Sequence, residues 1–289
     1  VTDIHRIDGL EGPFPRRRRT GGVFGRKEEN IQLQKANKQQ DLHPLQPGRL
    51  YVVGIGPGGA LDRTRRAEQA VAASDCVVGY TRYMELVSDI TAGKERIATG
   101  MTGETERCRF ALQRAGEGRI VSLISSGDPG IYGMAGLVLE IAAAEGIAVP
   151  VEVIPGVTAA QALASRLGAP LMCDFATLSL SDLLVPWETI RARLEAVAAA
   201  DLVVALYNPR SQKRTRQLAE AAAIFRSHRP GTTPVGIGTA IGSPEERILF
   251  SDLDHFLDLP ITMRSVVIVG NRSTKRIAEW FVTPRGYDV

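Results

Sequence analysis

Leu50-Tyr51-Val52-Val53-Gly54-Ile55-Gly56-Pro57-Gly58-Gly59 decides the fold. A short apolar run ends in glycines, and a helical pattern follows over residues 62–73 with Ala67, Ala70 and Val71 on one face. Such a run, bounded by turn residues, reads as a strand buried on both sides in a parallel sheet. The alternation repeats downstream. Residues 76–79 read as a second strand, 105–115 as a helix, 119–125 as a third strand and 132–145 as a helix. Residues 151–154 read as a fourth strand, and a helix over 158–167 is stopped by Gly168 and Pro170. Strands alternating with helices of about 10–15 residues build a parallel sheet with helices on both faces.

Past residue 170 the pattern changes. Residues 171–180 are strand-like, 187–199 helical, 202–207 a buried strand and 214–226 a helix. Residues 233–239, 246–250 and 265–269 read as three more strands, the last two able to pair without a crossover helix. The expectation is α/β throughout: an N-terminal parallel-sheet domain over 49–170 and a mixed-sheet domain over 171–289.

Residues 1–48 are of another kind, rich in Arg, Gln, Gly and Pro and without sustained periodicity, and read as a disordered basic extension. Residues 1–50 hold ten Lys/Arg against six Asp/Glu, while the whole chain carries only +3. The basic balance therefore belongs to the tail, and the body is not a nucleic-acid-binding domain on charge grounds. No stretch approaches the about 20 apolar residues of a spanning helix, and no apolar signal core stands at the N-terminus. Cys76, Cys108 and Cys173 are far apart, with no CxxC pair. Reduced cytosolic thiols are expected, without a disulfide framework or metal centre.

Gly54, Gly56 and Gly59 formally satisfy GxGxxG, which suggests a nicotinamide-dependent oxidoreductase. Two details oppose that. Pro57 lacks the N–H a phosphate nest needs. The acidic residue that should reach a ribose stands at the start of the second strand, at Asp75, rather than at its end. Two further motifs share the strand–turn–helix placement. Ser125-Ser126-Gly127-Asp128-Pro129-Gly130-Ile131-Tyr132-Gly133 follows the third strand, where open α/β sheets bind ligands. Val153-Ile154-Pro155-Gly156-Val157-Thr158-Ala159-Ala160 follows the fourth.

In this order and at these separations the three motifs resemble the tetrapyrrole (corrin/porphyrin) methyltransferase family. Four further segments are similar to its precorrin-3B C17-methyltransferase branch: residues 78–83, 99–108, 178–187 and 263–274. The uroporphyrinogen-III branch carries Tyr-Asp-Arg-Leu after the second strand. This chain has Tyr80-Thr81-Arg82-Tyr83 there.

The resemblance implies two α/β domains with S-adenosylmethionine in the cleft between them, leaving as S-adenosylhomocysteine. Cofactor contacts would fall to Pro57, Ser126, Gly127, Asp128, Ile131, Thr158 and Ala159, and by looser matches to Tyr207 and Gly238. It implies C17-methylation of precorrin-3B with ring contraction to precorrin-4, in cobalamin biosynthesis, by a cytoplasmic homodimer with neither membrane nor nucleic-acid partner. Tyr80, Thr81 and Arg82 are the catalytic candidates, with Ser126 and Tyr207 also near strand ends. Arg82, Arg107, Arg210 and Arg214 are candidates to hold substrate carboxylates. Alternatives are a cobalt-loaded or uroporphyrinogen substrate, and a non-catalytic tetrapyrrole-binding protein.

Overall fold

Strand and helix alternate through the first half of the chain, in a computed structural model that describes residues 48–100 and 102–288. The extension expected over 1–48 lies outside the described residues, apart from Gly48. The first half runs β1 (Arg49–Gly54), α1 (Arg65–Ala73), β2 (Cys76–Tyr80), α2 (Thr81–Leu86), β3 (Glu95–Thr99), α3 (Glu104–Gly116), β4 (Ile120–Ser125), α4 (Ala135–Ala144) and β5 (Val151–Ile154). Its strands form one parallel sheet in the order β3-β2-β4-β1-β5. The period of two along each strand separates two cores. Leu50, Val52, Val78 and Leu123 pack with Cys108, Leu112 and Val138 of α3 and α4. Val53, Val77 and Ile124 pack with Ala67, Ala70 and Val71 of α1. These last three are the residues the sequence places on one helical face, and Thr64 caps α1 by accepting the Ala67 N–H at 3.1 Å.

Neither α2 nor β3 was expected. β3 is an edge strand whose residues alternate between half-buried and exposed and which carries Glu95 and Arg96. Charge on an edge blunts pairing with other chains, and it also erases the apolar run that marks a buried strand.

The second half contains α5 (Ala159–Leu167), β6 (Gly168–Ala169), β7 (Phe175–Ser179), α6 (Trp187–Ala199), β8 (Val203–Tyr207), α7 (Gln217–His228), β9 (Pro234–Thr239), β10 (Arg247–Asp252), β11 (Ser265–Val269), β12 (Lys275–Ile277) and β13 (Trp280–Val282). The mixed sheet has the order β10-β9-β11-β8-β7, parallel only between β7 and β8. The pairing expected between β10 and β11 does not form, because both flank β9. Ser-Val-Val-Ile-Val of β11 is buried at every position and takes a central place, while the half-exposed β10 takes the edge. Helices α6 and α7 cover one face. Helix α5 covers the other, with Leu163 and Leu167 against Val203, Ala205, Val266 and Ile268. The chain thus passes from the first sheet's packing to the second's at residues 155–158. A small sheet of β12, β13 and β6 was also not expected.

Candidate cofactor and substrate cleft

The order of the parallel sheet puts β4 beside β1, yet the chain leaves these strands in opposite directions, from β1 toward β2 and from β4 toward β5. A crevice therefore opens at their carboxyl ends, the place where open α/β sheets take ligands. The loops leaving the two strands are tied to each other. Gly56 N–H donates to the Gly127 carbonyl at 3.2 Å, and Gly127 N–H to the Gly56 carbonyl at 2.7 Å. The loop leaving β5 joins them so closely that a Cβ on Gly156 would overlap the Gly127 carbonyl oxygen. A Cβ on Gly58 would stand 2.5 Å from the Ile241 carbonyl oxygen, so here the glycine motif meets the second half.

A cavity of about 350 Å³ lies there, within the roughly 300–1,000 Å³ range of small-molecule sites. From the first half it is lined by Pro57, Gly58, Tyr80, Arg82, Tyr83 and the 126–132 loop; from the second, by Tyr207, Asn208 and the turns at 240–243 and 263–266. The structure brings Pro57, Ser126, Gly127, Asp128, Ile131, Thr158, Ala159, Tyr207, Tyr80 and Arg82 together on this lining.

Thr81 and Gly238 are not on it. The exposed Thr81 opens α2 and donates its hydroxyl to the Thr99 carbonyl at 3.2 Å, away from the cleft. Gly238 lies within β9, where a Cβ would stand 2.6 Å from Ile241 Cδ1 and 2.8 Å from Leu163 Cδ1. Its absence of side chain seats Ile241, which does line the cleft. Arg107 is also not free for a substrate. It is 3% exposed, and it donates to Thr99 Oγ1 at 2.7 Å and the Gly100 carbonyl at 2.8 Å.

Asp128 is the carboxylate of the cleft. Its Oδ1 accepts the Gly130 N–H at 2.8 Å and its Oδ2 the Gly156 N–H at 3.0 Å. Two fixed donors hold its plane while lone pairs remain for ligand hydroxyl or ammonium groups. Tyr207 is spoken for in another way. Its phenol accepts the Ala160 N–H at 3.0 Å and shares a short hydrogen bond with Thr158 Oγ1. It satisfies an N-terminal N–H of α5 where Thr158 itself makes no side-chain cap. Burial pushes the Tyr207 phenol up from its ordinary pKa, against both hydrogen bonds. Tyr132, at a left-handed φ of 54°, packs its ring 5.1 Å from that of Tyr207.

Sequence reasoning did not single out Tyr83, Tyr132 or Asn208. Tyr83 stands edge-on to Tyr80, ring centroids 5.2 Å apart. Burial raises its pKa, and a hydrogen bond with Ser126 pulls the other way. The signal was its position one helical turn after Tyr80, at the start of α2. The 263–266 turn carried no motif beyond its place in the family resemblance.

The cleft fits S-adenosylmethionine by its donor set: one fixed carboxylate, backbone exposed by small residues at Gly58, Gly127 and Ala159, and apolar or aromatic surface at Ile131, Tyr83 and Ile241. Among the described residues no group of three or more His, Cys, Asp or Glu is placed to hold a metal ion. No helix among them is long and apolar enough to cross a membrane.

A parallel sheet whose switch-point loops face a mixed sheet across such a cleft defines a two-domain α/β protein with a small-molecule site between its domains. The chain belongs to the Tetrapyrrole (Corrin/Porphyrin) Methylases, whose family model matches residues 49–256, and is a methyltransferase with S-adenosylmethionine as methyl donor. It is 47% identical over 238 residues to a probable cobalt-factor III C(17)-methyltransferase of Salmonella typhimurium, covering 82% of this chain and 99% of that one. It is 45% identical over 244 residues to a cobalt-factor III methyltransferase of Priestia megaterium, covering 83% of this chain but only 45% of that longer relative. The crystal structure of the methyltransferase CobJ matches with a TM-score of 0.76 at 36% identity, over 82% of this chain and all of that one.

Proposed function

We propose that this chain methylates C17 of precorrin-3B and contracts its macrocycle to give precorrin-4, acting as a homodimer. The observation that carries the reading is the shared lining of one cleft: the three motif loops of the parallel sheet on one side, and Tyr207, Asn208 and the 263–266 turn of the mixed sheet on the other. When bound, S-adenosylmethionine supplies an electrophilic methyl group. The chain's own residues hold the reactants. Asp128, fixed by two backbone donors, would take hydroxyl or ammonium groups of the cofactor. Tyr207, through Ala160 and Thr158, fixes the start of α5 against the cleft. Apolar and aromatic surface at Tyr83, Ile131 and Ile241 would keep water from the reacting carbon, and most of the rate would come from holding the reactants in position.

Ring contraction needs a proton moved at the macrocycle edge. Tyr80 and Arg82 line the cleft and Thr81 does not, so the catalytic roles fall to Tyr80 and Arg82, with Tyr83 beside them. A cobalt-loaded substrate is the second reading, favoured by the 47% identity to a relative named for cobalt-factor III.

The test is incubation of the purified chain with S-adenosylmethionine and precorrin-3B, beside its cobalt-loaded form and uroporphyrinogen III, followed by mass and absorption spectra. One added methyl with the spectrum of a contracted ring is expected on precorrin-3B. Methylation confined to the cobalt-loaded form selects the second reading. Methylation of uroporphyrinogen III alone overturns both.

A further inference from the structure

The sequence singles out residues 99–108, yet the described residues among them do not line the cleft. Their structure shows another use. Arg107, on α3, is 3% exposed and reaches back to the end of β3. Its Nε donates to Thr99 Oγ1 at 2.7 Å and its Nη2 to the Gly100 carbonyl at 2.8 Å. Both acceptors are neutral. Burying a guanidinium against neutral oxygens is costly, and an apolar side chain would fill the same space with less penalty. What the planar fork alone can do is hold two successive residues in one orientation.

Thr99 passes that hold on. Its hydroxyl accepts from Arg107, while its carbonyl accepts the Thr81 hydroxyl at 3.2 Å. Thr99 is also the register partner of Tyr80, where β2 and β3 end side by side. Thr81 opens α2, which is six residues long and has no side-chain cap at Tyr80. A helix of that length is not stable alone. At its other end Arg96 of β3 donates from Nη2 to the Met84 carbonyl at 3.1 Å. The edge strand β3 therefore grips α2 at both ends, and Arg107 anchors the end that carries Tyr80, Arg82 and Tyr83 into the cleft. Burial raises the Tyr83 phenol, and the Ser126 hydrogen bond and the Arg107 charge both oppose that rise, so the cation stands close behind the cleft's aromatic wall.

We propose that Arg107 is a positioning residue for the reaction: acting through Thr99 and Thr81, it fixes the first turn of α2 so that Tyr80, Arg82 and Tyr83 meet the substrate in one orientation. The inference rests on the methyltransferase reading of the cleft. Arg107 itself lies off the lining and touches neither reactant. The same chain of bonds gives Thr81 a role in the site without a place on its surface.

The test uses the full chain and two readouts. Steady-state methylation is followed with S-adenosylmethionine on precorrin-3B and on its cobalt-loaded form. Hydrogen exchange is followed peptide by peptide without substrate. Thr81→Val is the mildest variant, because Thr81 is exposed and its loss leaves Arg107 with both acceptors. It should lower kcat about tenfold while KM for S-adenosylmethionine stays within about twofold. Exchange should speed up over residues 80–87 and not in β8 or β11. Arg107→Gln should lower kcat on the order of a hundredfold, with the same local exchange. Arg107→Lys keeps the charge without the fork and should recover part of that loss. Thr99→Ser, which keeps the hydroxyl, should recover most of what Thr99→Val loses. If Arg107 only supports the fold, its variants will melt earlier while the folded fraction keeps the parent kcat. That result, or unchanged exchange over 80–87 in Thr81→Val, overturns the proposal; the second criterion stands even if Arg107→Gln fails to fold. If the parent chain methylates neither substrate, the substrate reading falls by itself. Faster exchange confined to α2 in Thr81→Val would then still support the anchoring chain, and unchanged exchange would overturn it.

Discussion

The two halves of the molecule build their sides of the cleft by different means. In the first half, strands β1, β4 and β5 run parallel and deliver three loops to one edge, where Gly56 and Gly127 exchange backbone hydrogen bonds and Gly156 packs against the Gly127 carbonyl. In the second half the strands are mostly antiparallel, and the lining comes from the end of β8 and from turns at 240–243 and 263–266. Parallel topology gathers loops by construction, and their crowding leaves room only for glycine. The antiparallel turns rest mainly on their neighbours' side chains, with Gly242, at a φ of 75° beside the Gly59 nitrogen, the one position of the 240–243 turn that demands glycine. The first side should therefore be brittle to substitution and the second tolerant.

The largest effect expected is at Gly156. Gly156→Ala places a methyl on the Gly127 carbonyl oxygen, which only backbone movement can relieve. A loss of about 3 kcal/mol in denaturant unfolding is expected, with loss of S-adenosylhomocysteine binding. Gly238→Ala meets the ends of two side chains, Ile241 and Leu163, that can turn aside; it should cost about 1 kcal/mol. Equal costs at the two positions would break the contrast between the halves.

Next comes the phenol that joins them. Tyr207→Phe leaves the Ala160 N–H and the buried Thr158 hydroxyl without their partner. About 1–2 kcal/mol of stability should be lost, and S-adenosylhomocysteine affinity should drop while the ring packing on Tyr132 persists. Unchanged stability would show that the bond to α5 contributes nothing, and would return Tyr207 to the acid/base candidates.

The contrast also decides what could be read from sequence. The three motif loops were legible because close approach of backbones demands glycine, and a demand of that kind leaves a fixed pattern at 54–59, 126–133 and 155–160. Within those loops Pro57, Gly127 and Asp128 line the cleft. Thr81 was misplaced because its neighbourhood carries no helix signal strong enough to reveal α2: as the first residue of that helix, Thr81 turns to the Thr99 carbonyl, and Tyr83, near the end of the first turn, takes the cleft. Gly238 was read as a cofactor contact where its missing side chain makes room for Ile241. The β10–β11 pairing failed because turn signals show that two strands can meet, whereas burial decides which strand lies between them. The 263–266 turn had no physical signature, since Met263, Arg264 and Ser265 would be ordinary on any surface.

Alkaline titration should separate the halves by location rather than by size. Cys76 and Cys108 lie in the first half's core, where burial pushes their thiols up to about 11 and about 12 from 9.0. A raised folded pKa means the protonated thiol is favoured in the fold. The associated stability is complete below about pH 9 and is lost as pH rises through 11–12. Cys173 in the second half is half-buried and donates to the Pro284 carbonyl at 3.3 Å. Between pH 9 and 11, hydrogen exchange should rise first in β2 and α3, and a Cys76→Ala, Cys108→Ala chain should lose that alkaline sensitivity. Iodoacetamide at pH 8 should label Cys173 alone. Rapid labelling of Cys108 in the native chain would contradict its burial.

The smallest effect expected is at the ion-pair group that, among the described residues, spans both halves. Arg166, in the last turn of α5, pairs with Asp62 beside the glycine loop at 3.1 Å and with Glu246 in the second half at 3.6 Å. Glu246 in turn accepts the Gly242 N–H at 2.6 Å, and a Cβ on Gly242 would stand 2.9 Å from the Gly59 nitrogen. The network therefore braces the place where the glycine motif meets the mixed sheet. Its members are about a quarter to a third exposed, so solvent screens them and the pairs are worth at most about 1 kcal/mol. Arg166→Ala should lower stability by about 0.5 kcal/mol at low salt and by less at high salt, because the backbone packing of Gly58 on Ile241 holds the junction whether or not the charges are present. A loss above about 2 kcal/mol, undiminished by salt, would mean that the junction depends on the charges. The second half would then be as brittle at its border as the first is at its loops.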